Sequence, residues 1–347
     1  MLAAVFCTNA STAEFMFRAR VDGQMLEGKP LSWSANHMQL LGRDGQLHEF
    51  NPKLAKEGKK TSPRFFGYSQ AEVKGALQKE FDKRFDISTT RHYLVVHPSG
   101  ERDQWANRFE DLYKRFEHYF RVRGFKLSEP QFPLVAVVFR DRAEYQRHAA
   151  ASGSPVHPNT LGHYDPASNR VFLFDITSGS GDGDWSENAD TIIHEATHQT
   201  AYNVGVHTRF AEQPRWVVEG LAMMFEGRGV WDGAANRALT DRINRYRLNW
   251  YRAHAKDRAA DWMVKLVASD RQFEIDALGA YADAWTLTFY LCETRPQQYS
   301  AYLARVAARE AFTKYEPRER VEDFVASFGG DFQLLTAQLE RFVADLP

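Results

Sequence analysis

The sequence predicts an α+β protein, with strands gathered in its first half and helices in its second. Three observations carry that prediction. Short alternating or apolar runs ("FMFRARV", "HYLVVHP", "PLVAVVF", "NRVFLFD") all fall before Trp185. After Trp185 apolar residues recur at helical spacing almost to the end. Strands and helices therefore occupy separate blocks, whereas a doubly wound parallel sheet alternates them.

Residues 14–52 alternate in polarity and are broken by the turn pairs Asp22-Gly23 and Asp44-Gly45. Asp-Gly between alternating runs marks tight hairpins, so this stretch reads as a small β-module, a partial barrel. Residues 51–64, "NPKLAKEGKKTSPR", are lysine-rich and bracketed by proline, which suits a linker. Ser69 and Glu72 form a capping box that opens a helix running to about Phe85, so 53–90 reads as linker and helix. Then follow a strand at 92–98, a helix at 101–122, a strand at 133–139, a helix at 141–151, a strand at 169–175 and a loop at 177–184. Helices are expected near 188–203, 214–226, 235–256, 282–294, 297–310 and 331–344, the last capped by Asp331. Residues 91–347 form the main domain. The β-module is open to three roles: docking substrate, packing on the main domain, or tethering it.

Composition narrows the function. The chain has 347 residues, 44% hydrophobic and 26% charged, enough to bury a large core. A net charge of −1 argues against a partner such as nucleic acid or an anionic membrane, which calls for a basic excess. No run of 18 apolar residues is present, so no transmembrane segment is expected. Cys7 and Cys292 are the only cysteines, and neither lies in a C-x-x-C pattern. Residues 1–13, "MLAAVFCTNASTA", read either as a tail or as the rear half of a signal peptide. The second reading implies export to a periplasmic or extracellular location.

The chemistry concentrates in "TIIHEATHQT", residues 191–200. His194 and His198 lie one helical turn apart on one face, so both imidazoles can reach one ion. Glu195 projects about 100° away from His194 and can reach a water on that ion without ligating it. Ile193, Thr197, Thr200 and Val204 form the stripe expected to pack inward, and Ser186 or Asn188 can cap the helix. A catalytic zinc takes three protein ligands and leaves one position for water. Glu219 is the candidate third ligand, 21 residues after His198 in "QPRWVVEGLAMMFEG". That segment has Pro214 at its start and Gly227 at its end, so it reads as a second helix. A lone carboxylate in so apolar a helix needs a partner. Trp216 reads as packing, and His157, His163 and His207 as exposed loop histidines.

The pattern H-E-x-x-H, then E on a second helix about twenty residues later, resembles the gluzincin metallopeptidases. The wording "W-x-x-E-G-L-A-x-x-F-E", together with "HQTAYNVG" and "AYADAWTLTFYL", is similar to a bacterial branch of peptidase-like gluzincin domains. The resemblance covers roughly 92–345. It implies a zincin-like metalloprotease fold, a Zn2+ cofactor held by His194, His198 and Glu219, and Glu195 as the base that polarises the water. It implies a peptide or protein substrate. Many gluzincins stabilise the oxyanion with a tyrosine or histidine, and Tyr281, 62 residues past Glu219 and just before a helix, is the matching residue. Zincins also present an edge strand above the metal, for which 169–175 is the candidate. One departure stands out. Thermolysin-like enzymes carry an aspartate four residues after the glutamate ligand, and here that position is Met223. Glu226 or Asp190 is left to orient a ligand histidine. Two other readings remain beside peptide hydrolysis: a catalytically degenerate zincin that binds a peptide or partner, and hydrolysis of a non-peptide amide.

Overall fold

The computed structural model describes residues 14–100, 104–153, 156–176, 185–233 and 236–347. The expected tail or signal remnant at 1–13 and the loop at 177–184 lie outside the described residues. The fold is α+β, as expected, with two five-stranded sheets followed by a helical half.

The first sheet contains β1 (Met16–Val21), β2 (Gln24–Trp33), β3 (Met38–Gly42), β4 (Leu47–Phe50) and β5 (Lys56–Ser62), in the antiparallel order β4-β3-β2-β1-β5. Asp22 and Gly23 both take positive φ, 48° and 82°, which is the two-residue hairpin turn their identities favour. The expected linker is corrected here. Lys56–Ser62 pairs with β1 as an edge strand, so the β-module extends past residue 52. Six of its seven residues are exposed, so it shows no alternation that a sequence reading can detect. Its lysines also discourage further strand pairing at that edge.

The β-module packs on the main domain through its β3–β4 turn. Leu47 N donates to Ala167 O at 2.8 Å, and Arg209 Nη2 donates to Gly45 O at 2.8 Å and to Pro166 O at 2.5 Å. Of the three roles left open, packing is the one observed.

After α1 (Gln70–Glu80), the second sheet is built from β6 (Phe85–Thr89), β7 (Tyr93–Pro98), β8 (Leu134–Phe139), β9 (Gly162–Asp165) and β10 (Arg170–Phe174). The order is β6-β7-β8-β10-β9, with β7, β8 and β10 parallel and both edges antiparallel. The capping box at Ser69 and Glu72 forms as predicted, but the helix ends at Glu80 and residues 85–89 are an edge strand. A second correction concerns the other edge. The segment at 169–175 is interior, between β8 and β9, so it cannot accept a substrate strand; β9 is the edge.

Side-chain alternation sends the two faces of this sheet to different cores. Tyr93, Val95, Ala136, Val138, Val171 and Leu173 meet α2 (Gln104–Arg121) and the helical half. Leu94, Val96, Val135, Val137 and Phe172 meet α1 and α3 (Arg142–Ala151).

The helical half runs α4 (Trp185–Asn203), α5 (Arg215–Phe225), α6 (Arg228–Trp231), α7 (Arg245–Ala253), α8 (Trp262–Ala268), α9 (Gln272–Ile275), α10 (Ala277–Thr294), α11 (Pro296–Ala307), α12 (Pro317–Phe328) and α13 (Phe332–Asp345). The helix expected over 235–256 is interrupted: Asn244 turns the chain and caps α7 by accepting from Arg247 N. Asp276 caps α10 five residues earlier than expected, so Tyr281 lies inside that helix rather than before it. Asp331 caps α13 as predicted. Among the described residues no helix is long and apolar enough to cross a membrane.

Candidate metal centre

α4 begins at Trp185, so Ser186 and Asn188 lie within the helix rather than capping it. Ile193, Thr197, Thr200 and Val204 are buried, as the stripe predicts. A neighbouring face of α4, about 100° round the helix, carries His194 and His198 toward Glu219 of α5.

Gly220 sets how closely α5 approaches α10. A Cβ there would lie 2.2 Å from Thr288 Oγ1 and 2.7 Å from the Ala284 carbonyl oxygen, so only glycine fits. This is a physical reason for the "EG" step: the residue after Glu219 must let two helices touch. Around it Trp216, Val217, Leu221, Met223 and Met224 are buried and anchor the helix that presents the carboxylate.

The three expected ligands converge. The Nε2 atoms of His194 and His198 are 3.0 Å apart, and Glu219 Oε2 is 3.5 Å from the first and 3.8 Å from the second. A triangle with these sides has a circumscribed radius of about 2.0 Å, close to the zinc–imidazole bond length. Donors of this type at this spacing fit one divalent cation.

Electrostatics favours the same reading. Burial, then the charge of His194, lowers His198 to about 4, which leaves the neutral imidazole a metal needs. Burial works to raise Glu219, but its bond to His194 and the charges of His198, His194 and Arg215 hold it near 2. Burial likewise works to lower His194, yet its contacts with Glu219 and Glu226 raise it well above the usual value. A cation can take the place of that proton.

Glu195 stands beside the cluster. Its Oε2 accepts from Tyr164 N of β9 at 2.7 Å. Burial pushes this carboxyl up to about 7; His194 and the Tyr164 hydrogen bond oppose the rise, while Glu219 and Glu226 add to it. The edge strand is in turn tied to α4. Asn169 Oδ1 accepts from Tyr164 Oη at 2.8 Å and from Asn203 Nδ2 at 2.8 Å, and Gln199 Nε2 donates to the carbonyls of Val135 and Asn169 at 3.0 and 2.8 Å.

The orienting partner is Glu226. Its Oε1 meets His194 Nδ1 at 2.9 Å and its Oε2 accepts from Asn244 Nδ2 at 2.6 Å, so Nε2 is the nitrogen left for an ion. Asp190, the alternative, faces Glu226 and Arg228, and burial raises its carboxyl. Met223, where thermolysin-like enzymes have aspartate, is fully buried among apolar side chains.

Tyr281 is placed differently. Its hydroxyl accepts from Arg215 Nη2 at 3.0 Å, and Arg215 lies one turn before Glu219 on α5. Among the described residues no hydrogen bond joins Tyr281 to the three ligands, so it flanks the centre through Arg215. The three loop histidines also separate. His157 is exposed as expected, but His163 accepts or donates at Nδ1 with Tyr145 Oη at 2.7 Å. His207 is buried rather than exposed.

Sequence reasoning missed Gln199, Asn169, Asn203 and Asn244. The available signals were a polar residue on the helix face that packs inward and an asparagine at a turn. Asn169 does take a left-handed conformation, φ 61°.

The sequence profile of a family described as a protein of unknown function, DUF1570, matches residues 188–313. That span carries α5, α10 and all five predicted site residues. No curated protein matches the chain.

Proposed function

We propose that the chain is a zinc-dependent peptidase of gluzincin type. The observation that carries this reading is the convergence of two Nε2 atoms and one carboxylate oxygen around a single point, with Glu195 next to it. His194, His198 and Glu219 would hold the ion. When bound, zinc supplies a Lewis acid for the scissile carbonyl and lowers the pKa of the water it binds.

The chain's own residues do the rest. Glu195 accepts the proton of the attacking water and later passes it to the leaving amine. The Tyr164 amide fixes Oε2 and leaves Oε1 for that proton. Tyr281, with Arg215 at its hydroxyl, is the candidate donor to the oxyanion. Glu226 fixes the tautomer of His194.

A peptidase needs its base, whereas a structural zinc site does not, so an intact Glu195 favours catalysis over a binding module. The test pairs wild type with Glu195→Gln on a diverse fluorogenic peptide library. The variant should keep its zinc and lose hydrolysis by several orders of magnitude. Zinc-loaded wild type that binds peptides without turnover would replace this reading with the degenerate, partner-binding one.

A further inference from the structure

Beside the metal centre lies a cavity of about 600 Å³, whose lining includes Asp190, Glu226, Asn244, Arg228, Arg245 and Arg247. Glu226 joins the two places, since it bonds His194 and also lines the cavity.

The charged groups in this cavity are not equally committed. Glu226 is bound by His194 and Asn244, and Asp241 accepts from Ala238 N. Asp190 faces Arg228. Arg245 donates to the Pro347 carbonyl. Among the described residues Arg228, Arg245 and Arg247 all lack an ion pair, and of the three Arg247 is the one whose Nε is buried without an acceptor. A buried guanidinium N–H without an acceptor is unfavourable, so such a group marks a place where an acceptor belongs.

Its position is also fixed. The Asn244 side chain that donates to Glu226 accepts from Arg247 N at 3.2 Å, so one capping turn places both residues. The Arg247 guanidinium lies 5.3 Å from the Tyr281 ring centre, and that of Arg215 lies 5.6 Å from it. Two cations therefore lie near the Tyr281 ring. The Tyr246 ring, 60% exposed, stands at 5.1 Å from the same guanidinium.

We infer that Arg247 makes this cavity a carboxylate-binding subsite of the metal centre, one that takes an anionic group of the substrate peptide. A planar guanidinium positioned near two tyrosine rings presents its N–H fork to a carboxylate at low entropic cost. The inference rests on the peptidase reading. The carboxylate is either the peptide's C-terminus or an acidic side chain, and the probes separate the two.

The probes are short peptide hydroxamates, whose hydroxamate chelates zinc, with one to three residues beyond it. Each length is made with a free C-terminus, with a C-terminal amide, and as an amide carrying one glutamate. Affinity for zinc-loaded wild type, Arg247→Gln and Arg247→Lys is read by calorimetry. At one length or more, a carboxylate probe should bind at least about tenfold tighter than its neutral amide. In Arg247→Gln that preference should fall to within about twofold while the neutral amide binds as before, and Arg247→Lys should keep part of it. A free C-terminus giving the preference identifies a C-terminal subsite; glutamate giving it identifies a side-chain subsite. Equal binding of charged and neutral probes at every length in wild type would overturn the inference and leave the metal centre standing. Failure of every hydroxamate to bind zinc-loaded wild type would remove the metal reading as well.

Discussion

Gly220→Ala tests how Glu219, the proposed third ligand, is placed. The added Cβ would meet Thr288 Oγ1 at 2.2 Å, the Ala284 carbonyl oxygen at 2.7 Å and Thr288 Cβ at 3.0 Å. Thr288 is fully buried, and the Ala284 oxygen is backbone, so rotation of one side chain cannot relieve the contact. α5 and α10 must separate by about 0.7 to 1.2 Å to bring the two oxygen contacts to 3.4 Å, where ordinary contact begins. Overpacking of this kind costs about 1–3 kcal/mol, and a backbone clash puts this site at the upper end. The melting temperature should fall by a few degrees. Zinc affinity should fall too, by about tenfold, because metal ligands tolerate displacements of only about 0.2 Å and Glu219 moves with α5. The assays are denaturant unfolding and zinc competition against a chromophoric chelator. Adding Thr288→Ala should recover only part of the loss, since the carbonyl contact remains. Wild-type stability and wild-type zinc affinity in Gly220→Ala would refute the claim that close packing of α5 on α10 sets the position of Glu219.

Two further outcomes follow from the surroundings of the centre. Glu226→Ala removes the partner of His194 Nδ1, 2.9 Å away, and should weaken zinc binding about 10- to 100-fold in the same competition assay, with the fold retained by circular dichroism. His207 is held near 3 in the folded chain, chiefly by burial, against about 6.5 unfolded. Above pH 6.5 it is neutral in both states and costs nothing. As pH falls from 6.5 toward 3 only the unfolded chain takes up the proton, so this residue makes stability fall by about 1.4 kcal/mol per pH unit. His207→Phe should lose that part of the acid dependence, and equal slopes in wild type and variant between pH 6 and 4 would contradict the assignment.

The convergence of His194, His198 and Glu219 was legible because its cues are local: a four-residue step on one helix, and a carboxylate stranded in an apolar one. The α+β class was legible from where alternation gives way to helical spacing. What escaped has a shared physical cause. β5 is held by backbone pairing at a sheet edge and buries almost nothing, so it carries no pattern. Strand order is likewise absent from any single strand, which is why an interior strand passed for the edge that β9 occupies. Gln199, Asn169 and Asn203 tie that edge to α4 through contacts spanning 30 residues or more, beyond the reach of periodicity. The choice of Glu226 over Asp190 depends on where α5 ends relative to α4, and spacing alone leaves both within one turn of plausibility.

The most direct test is the zinc K-edge absorption spectrum of the metal-loaded chain. One zinc per chain is predicted, with two imidazole nitrogens at about 2.0–2.1 Å and a carboxylate oxygen in the same shell. His198→Ala should lose one imidazole, and Glu219→Ala the protein oxygen. A zinc bound without imidazole scattering, or a spectrum unchanged by either substitution, would show that His194, His198 and Glu219 do not share a metal.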